Sequence, residues 1–208
     1  MRDRVMERAS LAPRHDFDIL PRSAEIEVQP AQESELSALA EMANRLVPGV
    51  QITEPDLRRY FKFDPGSILI FRRQQKVLGA VAFLYLNRLG HDALLLDDMN
   101  LNEPDVGLLA GPSENVSAIY VWAIAGQGRA MAGLGNVSTH LSQSRLAPAD
   151  LYAQPSSADG RNLMIAIGFE PIESHQHELW RYRRPWNRVP DPMPASIVPA
   201  RSFADARH

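Results

Sequence analysis

Hydrophobic and polar positions alternate first along Glu25 to Val28, which predicts a short strand that Pro30 ends. Leu36, Leu39, Ala40, Ala43 and Leu46 then recur at three- and four-residue intervals, gathering apolar side chains on one helical face, and Pro48-Gly49 stops that helix. A second helix is announced by Thr53, with Pro55 in its first turn and Asp56 completing a capping pair three residues on. Its buried side would be Leu57, Tyr60 and Phe61. Asp64-Pro65-Gly66 turns the chain into two strands, Ser67 to Arg73 and Lys76 to Leu86, a β-hairpin closed by the polar turn at Arg73-Gln74-Gln75.

From Asn87 to Asn115 no period is visible, and acidic residues alternate with leucines, glycines and prolines, so this reads as a long, partly structured connection. Val116 to Ile124 (VSAIYVWAI) is an apolar, β-rich run suited to a central strand buried on both faces. The glycine-containing stretch AGQGRA, residues 125–130, follows, and Met131, Ala132, Leu134, Val137 and Leu141 have helical spacing. Asp150 to Gln154 is a further short strand. Ser156 with Asp159 starts a helix that runs through Ile167 and stops at Gly168. Phe169 to Ile172 and Leu179 to Arg183 supply a last hairpin.

The order strand, glycine loop, helix carries chemistry. Backbone amides at the start of a helix converge on one spot, and the positive end of the helix dipole adds attraction for a phosphate. Gly126 and Gly128 allow close approach, and Arg129 could add a charge. Composition narrows the partners. Net charge is −3 with both signs interspersed, which disfavours nucleic acid, and the absence of cysteine excludes disulfides, thiolate metal sites and a cysteine nucleophile. No apolar run approaches the roughly 20 residues of a membrane helix. The opening residues lack the continuous apolar stretch of a signal peptide, so a cytoplasmic protein is expected. Residues 1–24 read as a flexible leader, 25–184 as one folded unit and 185–208 as a proline-rich tail, whose Trp186 would suit a docking segment.

Three local stretches resemble the GNAT acyltransferase superfamily: IEVQPAQESELSALAEMANRL, AIAGQGRAMAGL and GRNLMIAIGFEPI. In the second, Gly128 and Ala130 match the family's glycine-loop pattern; in the third, Gly168 and Phe169 match its Gly-Phe helix end. The resemblance implies an α/β fold: a mixed, mostly antiparallel central sheet, splayed at its central strands and flanked by helices. It also implies acetyl-CoA or another acyl-CoA as co-substrate, its pantetheine beside the strand 116–124 and its pyrophosphate on residues 125–130. Cofactor contacts would then fall on Ala123, Ile124, Ala125, Gly126, Gln127, Gly128, Arg129, Ala130 and Ser157. The acceptor would be a small-molecule or peptide amine, attacking the thioester after losing a proton to a base. Two positions depart from the family's pattern. Ala125 stands where a Gln or Arg is usual, and Met164 stands where a tyrosine commonly protonates the leaving thiolate; a thioether cannot donate a proton.

Tyr120 and Tyr152, on the strands flanking the acyl site, are candidates for that missing proton donor, though both also suit core residues with satisfied hydroxyls. Asp97, Asp98, Glu103 and Glu114 could include a base or be solvated loop carboxylates. His175 and His177 lack further ligands at metal spacing, so no metal site is expected, and Trp122 and His140 read as core residues. The acceptor's identity and the oligomeric state stay open, with a homodimer among the options. A non-catalytic acyl-CoA-binding or protein-interaction module of the same fold is the alternative function.

Overall fold

A computed structural model describes residue 20, residues 23–47, 49, 51–126 and 128–184. The tail 185–208 with Trp186, most of the leader 1–24, Gln127 and the side chain of Arg129 lie outside the described residues. The chain builds β1 (Glu27–Pro30), α1 (Leu36–Leu46), α2 (Glu54–Phe63), β2 (Ile68–Arg73), β3 (Lys76–Leu86) and α3 (Arg88–Leu96). It continues with β4 (Ala118–Gly126), α4 (Gly133–Leu141), β5 (Asp150–Ala153), α5 (Ala158–Ile167), β6 (Glu170–Pro171) and β7 (Trp180–Tyr182). The strands form one sheet in the order β1-β2-β3-β4-β5-β7-β6. Only β4 and β5 run parallel; every other pair is antiparallel. The expected mixed, mostly antiparallel α/β sheet with flanking helices is therefore present.

The period-2 alternation of the strands sends apolar side chains to both faces. On one face Leu69, Phe71, Val81, Phe83, Ile119 and Leu151 pack with Leu134, Val137 and Leu141 of α4 and Met164 and Ile167 of α5. On the other, Ile68, Ile70, Ala80 and Ala82 meet Leu36, Leu39, Ala40 and Ala43 of α1 and Leu57 of α2. That second layer continues under α3, where Leu84, Leu86, Ala118, Tyr120 and Tyr152 meet Tyr60, Leu94, Met99 and Leu109.

Local signals explain the element ends. Thr53 caps α2, its hydroxyl accepting from the Asp56 amide while the Asp56 carboxylate accepts from the Thr53 amide at 2.8 Å. Gly168 ends α5 in the left-handed region at φ 92°; its amide donates to Ile165 O and that of Phe169 to Met164 O, the paired bonds of a Schellman ending. Pro30 lies within β1 rather than after it, tolerated because β1 is an edge strand.

Three expectations are corrected. The connection 87–115 contains a helix: Asn87 caps α3 by accepting from the Gly90 amide at 2.9 Å. The cap of α5 is Ser157, not Ser156, its hydroxyl accepting from the Gly160 amide. The stretch 125–130 is not one loop, since β4 runs on through Ala125 and Gly126, paired with Ala80 and Gly79. Gly79 makes that extension fit: a Cβ there would stand 2.6 Å from the Ala125 carbonyl oxygen and 3.2 Å from the Gly126 Cα. Beyond residue 127 a 3-10 turn, Gly128–Ala132, leads directly into α4. Among the described residues no helix is long and apolar enough to cross a membrane.

Candidate functional site

The two parallel strands at the centre of the sheet share only a short ladder. β4 and β5 pair only over Ala118–Tyr120 against Asp150–Tyr152. Immediately past the last rung, the register between β3 and β4 shifts: Ala82 faces Ala123 and Phe83 faces Val121, leaving Trp122 as the extra residue of a bulge. An unpaired extra residue bends its strand and steepens the twist, and β5 ends at Ala153 while β4 runs on to Gly126. Burial follows the geometry. Residues 118–120 are buried, whereas Val121, Trp122, Ala123 and Ile124 are half-buried along the strand edge that β5 has left.

At the open end of this edge, Gly128 sits exposed with φ 57°, and an added Cβ would meet nothing within 4 Å. Only glycine adopts that backbone without penalty. The 3-10 turn runs directly into α4, whose own start carries no side-chain cap, so the helical run begins at Gly128 on the open end of this edge. Ala130 of the same turn is buried. The expected cofactor positions Ala123, Ile124, Ala125, Gly126 and Gly128 are thus brought onto one strand edge and the turn that follows. Ser157 heads α5, its hydroxyl held by the Gly160 amide at 3.0 Å.

A cavity of about 630 Å³ adjoins the 3-10 turn, lined by Gly128, Met131 and Ala132 of the turn together with Leu78, Ile26 and the ion-paired Glu25 and Arg73. None of its lining residues comes from β5 or α5.

Tyr120 and Tyr152 face each other across the last shared rung and project into the layer beneath α3. The Tyr120 hydroxyl donates to Gln154 Oε1 at 3.1 Å, and Gln154 Nε2 donates to His177 O at 2.5 Å. Burial pushes the Tyr120 hydroxyl well above the usual phenol range. Tyr152 is different: its hydroxyl lies 2.9 Å from His91 Nε2 on α3, the rings 5.1 Å apart, and Arg181 stands opposite it on β7, its charge opposing the effect of burial. Burial raises the Tyr152 hydroxyl and lowers the His91 imidazole below its ordinary 6.5. His91, Gln154 and Arg181 were not singled out from the sequence. His91 belongs to the helix that lacked a periodic signal, and Arg181 meets Tyr152 only once β7 is known to pair with β5.

The other candidates fall elsewhere. Met164 is buried in the α5 core and offers no proton. Glu103 pairs with Arg59 at 3.5 Å, Glu114 accepts from the Gly111 amide, and Asp97 ends α3 in the left-handed region. His140 joins α4 to the hairpin through Tyr85 at 2.9 Å, beside the Asp64–Arg145 ion pair at 2.7 Å. Trp122 packs edge-on against Tyr60 and donates to Leu101 O at 2.7 Å. Among the described residues no group of three or more His, Cys, Asp or Glu could hold a metal ion.

Neither a protein-family model nor a curated protein matches the sequence. Solved structures do match the fold. The loading GNATL domain of CurA from Lyngbya majuscula is 16% identical, covers 78% of this chain and 99% of its own length, and superposes with a TM-score of 0.55. Ard1 from Thermoplasma volcanium is 10% identical, with 76% and 95% covered and a TM-score of 0.49. The GNAT-like decarboxylase GphF, solved in complex with isobutyryl-CoA, is 12% identical over 66% of this chain and 70% of its own, with a TM-score of 0.48. The chain has the GNAT fold, and the resemblance read from its sequence holds at that level.

Proposed function

We propose that the protein is an acyl-CoA-dependent acyltransferase that moves an acyl group, acetyl in the first instance, from the CoA thioester to an amine of a small molecule or peptide. The observation that carries this reading is the end of the β4–β5 ladder beside a bulge, with the turn at Gly128 and the start of α4 following along the uncovered strand. A strand edge stripped of its neighbour leaves backbone groups able to pair with the amides of a pantetheine arm. The amides from Gly128 onward supply the matching site for a diphosphate. With Ala125 lacking a polar side chain, that grip rests on main-chain nitrogens.

On this reading the thioester would lie near the last shared rung, where Tyr120 and Tyr152 stand. Holding an amine in line with the carbonyl supplies most of the rate, a β4 amide stabilises the developing oxyanion, and a nearby base removes the amine proton. Calorimetric titration with acetyl-CoA and longer acyl-CoAs tests the reading, with Gly128→Glu as the paired variant. The Cβ enters open space but any side chain strains the backbone at φ 57°, so Gly128→Gln is the equally strained, uncharged control, and the glutamate should bind at least about tenfold more weakly than that control through repulsion of the diphosphate. Equal affinity in the two variants would remove the cofactor from this turn.

One observation favours a second reading. Met164 is packed into the core, so α5 supplies no acid for a leaving thiolate. A protein that binds acyl-CoA without turnover across a panel of amines would be a binding module of the same fold.

A further inference from the structure

The rung at which the strands part extends beyond the two tyrosines. Tyr120 faces Tyr152 across β4 and β5, and Tyr152 faces Arg181 across β5 and β7. Adjacent positions on one rung present their side chains to the same face of a sheet. That face is the layer under α3, and α3 brings His91 to Tyr152 alone. The geometry points to Tyr152 as the proton-transferring residue of the acyl transfer, with His91 as its proton partner and Arg181 as the group that orients it. This inference rests on the acyltransferase reading and selects between its two candidate tyrosines.

The surroundings of each hydroxyl support the assignment. Arg181 stands opposite Tyr152 on the next rung, where its positive charge favours the phenolate, and His91 Nε2 lies within hydrogen-bond reach of Tyr152 Oη. His91 can accept because burial, the largest influence on it, disfavours the imidazolium. Arg181 acts the same way, while the carboxylates of Asp92 and Asp150 act oppositely. Neutral imidazole in the tautomer with its proton on Nδ1 presents Nε2 as the acceptor for the Tyr152 hydroxyl. Tyr120 has no such outlet: its hydroxyl donates to an amide oxygen, which cannot take the proton away.

The step balances. As the amine nitrogen attacks the thioester carbonyl, its surplus proton passes to Tyr152 Oη while the Tyr152 proton passes to His91 Nε2. The new C–N bond forms and the C–S bond breaks, its electron pair leaving on sulfur. The proton then returns from His91 through Tyr152 to the thiolate, giving free CoA thiol and restoring the pair. One relay thus serves as base and acid, which removes the need for a donor at Met164.

The test uses the full chain with isotope-labelled histidine, acetyl-CoA as probe, and the variants His91→Asn and Tyr152→Phe. His91, identified by its loss in His91→Asn, should titrate below 6.5 with its proton on Nδ1. Tyr152→Phe should move its midpoint while leaving that of His140, which belongs to a different cluster, in place. Saturation with acetyl-CoA should move the His91 midpoint by at least about 0.3 pH unit, since a thioester arriving beside the relay changes its solvation. On any amine that turns over, His91→Asn should lower kcat about 100-fold with KM for acetyl-CoA unchanged, and should abolish the acidic limb of the rate profile. Binding of acetyl-CoA that leaves the His91 midpoint unmoved, or unchanged kcat in His91→Asn, overturns the relay while sparing the cofactor reading. Absence of any acetyl-CoA binding overturns the acyltransferase reading, and the relay falls with it.

Discussion

The ring of Phe71 is clamped between two glycines, and one methyl group should reveal how tightly. Phe71 is fully buried on β2, facing α4. A Cβ on Gly133, the first residue of α4, would stand 2.6, 2.8 and 3.0 Å from three carbons of that ring, well inside ordinary van der Waals contact. The ring cannot simply retreat, because a Cβ on Gly79 would already meet its Cδ2 at 3.1 Å. Gly133→Ala must therefore tilt α4 away from the sheet or push the ring off its rotamer. Overpacking of this kind costs about 1–3 kcal/mol. The helix preference of alanine over glycine returns less than about 1 kcal/mol, and least in a first turn. A net loss of about 2 kcal/mol is expected, a fall of roughly 4–8 °C in Tm for a chain of this size. Chemical denaturation should show a lower midpoint with unchanged slope. The clash also has a specific signature: in a Phe71→Leu background, where the smaller side chain leaves room, the same substitution should cost less than about 1 kcal/mol. A Gly133→Ala protein as stable as the parent, or an equal loss in both backgrounds, would refute the argument.

Three other outcomes follow from the same kind of reasoning. Gly168→Ala forces a side chain into the left-handed region at φ 92° and should cost about 1–2 kcal/mol in equilibrium unfolding, although the nearest side-chain atom, on Tyr182, is 3.7 Å away and presents no clash. Thr53→Ala removes one half of the reciprocal cap on α2 and should cost about 1 kcal/mol, with Thr53→Ser recovering most of it. His91 and His140 both have imidazoles lowered from 6.5, by burial first of all, so the unfolded chain binds more protons than the folded one once pH falls below about 6.5. Stability should therefore decline as pH drops from 7 toward the folded-state midpoints, by at most about 1.4 kcal/mol per pH unit for each histidine. His140→Asn should flatten that slope in denaturation curves recorded between pH 7 and 5.

What could be read along the chain and what could not divide along a physical line. α1 and α2 carry three- and four-residue spacing and, at Thr53 and Asp56, a cap that depends on residues three apart; β2 and β3 are bounded by turn residues, and α5 ends on a glycine whose φ no other residue adopts cheaply. All these signals are local, and the structure agrees with them to within a residue or two. α3 was hidden because Gly90 sits in its first turn and Leu94, Leu95 and Leu96 run together without a period, with Leu94 fully buried and Leu96 52% exposed. The end of β4 was hidden for a different reason. Gly126 looks like the start of a loop until Gly79, in another strand, is seen to make room for it. The candidate chemistry is the most non-local feature of all. His91 and Tyr152 are 61 residues apart in sequence, and Arg181 joins them through the placement of β7 next to β5, a pairing no spacing rule encodes. Composition and periodicity thus locate the strands of the candidate site, while strand order and one short helix decide that Tyr152, and not Tyr120, meets a histidine.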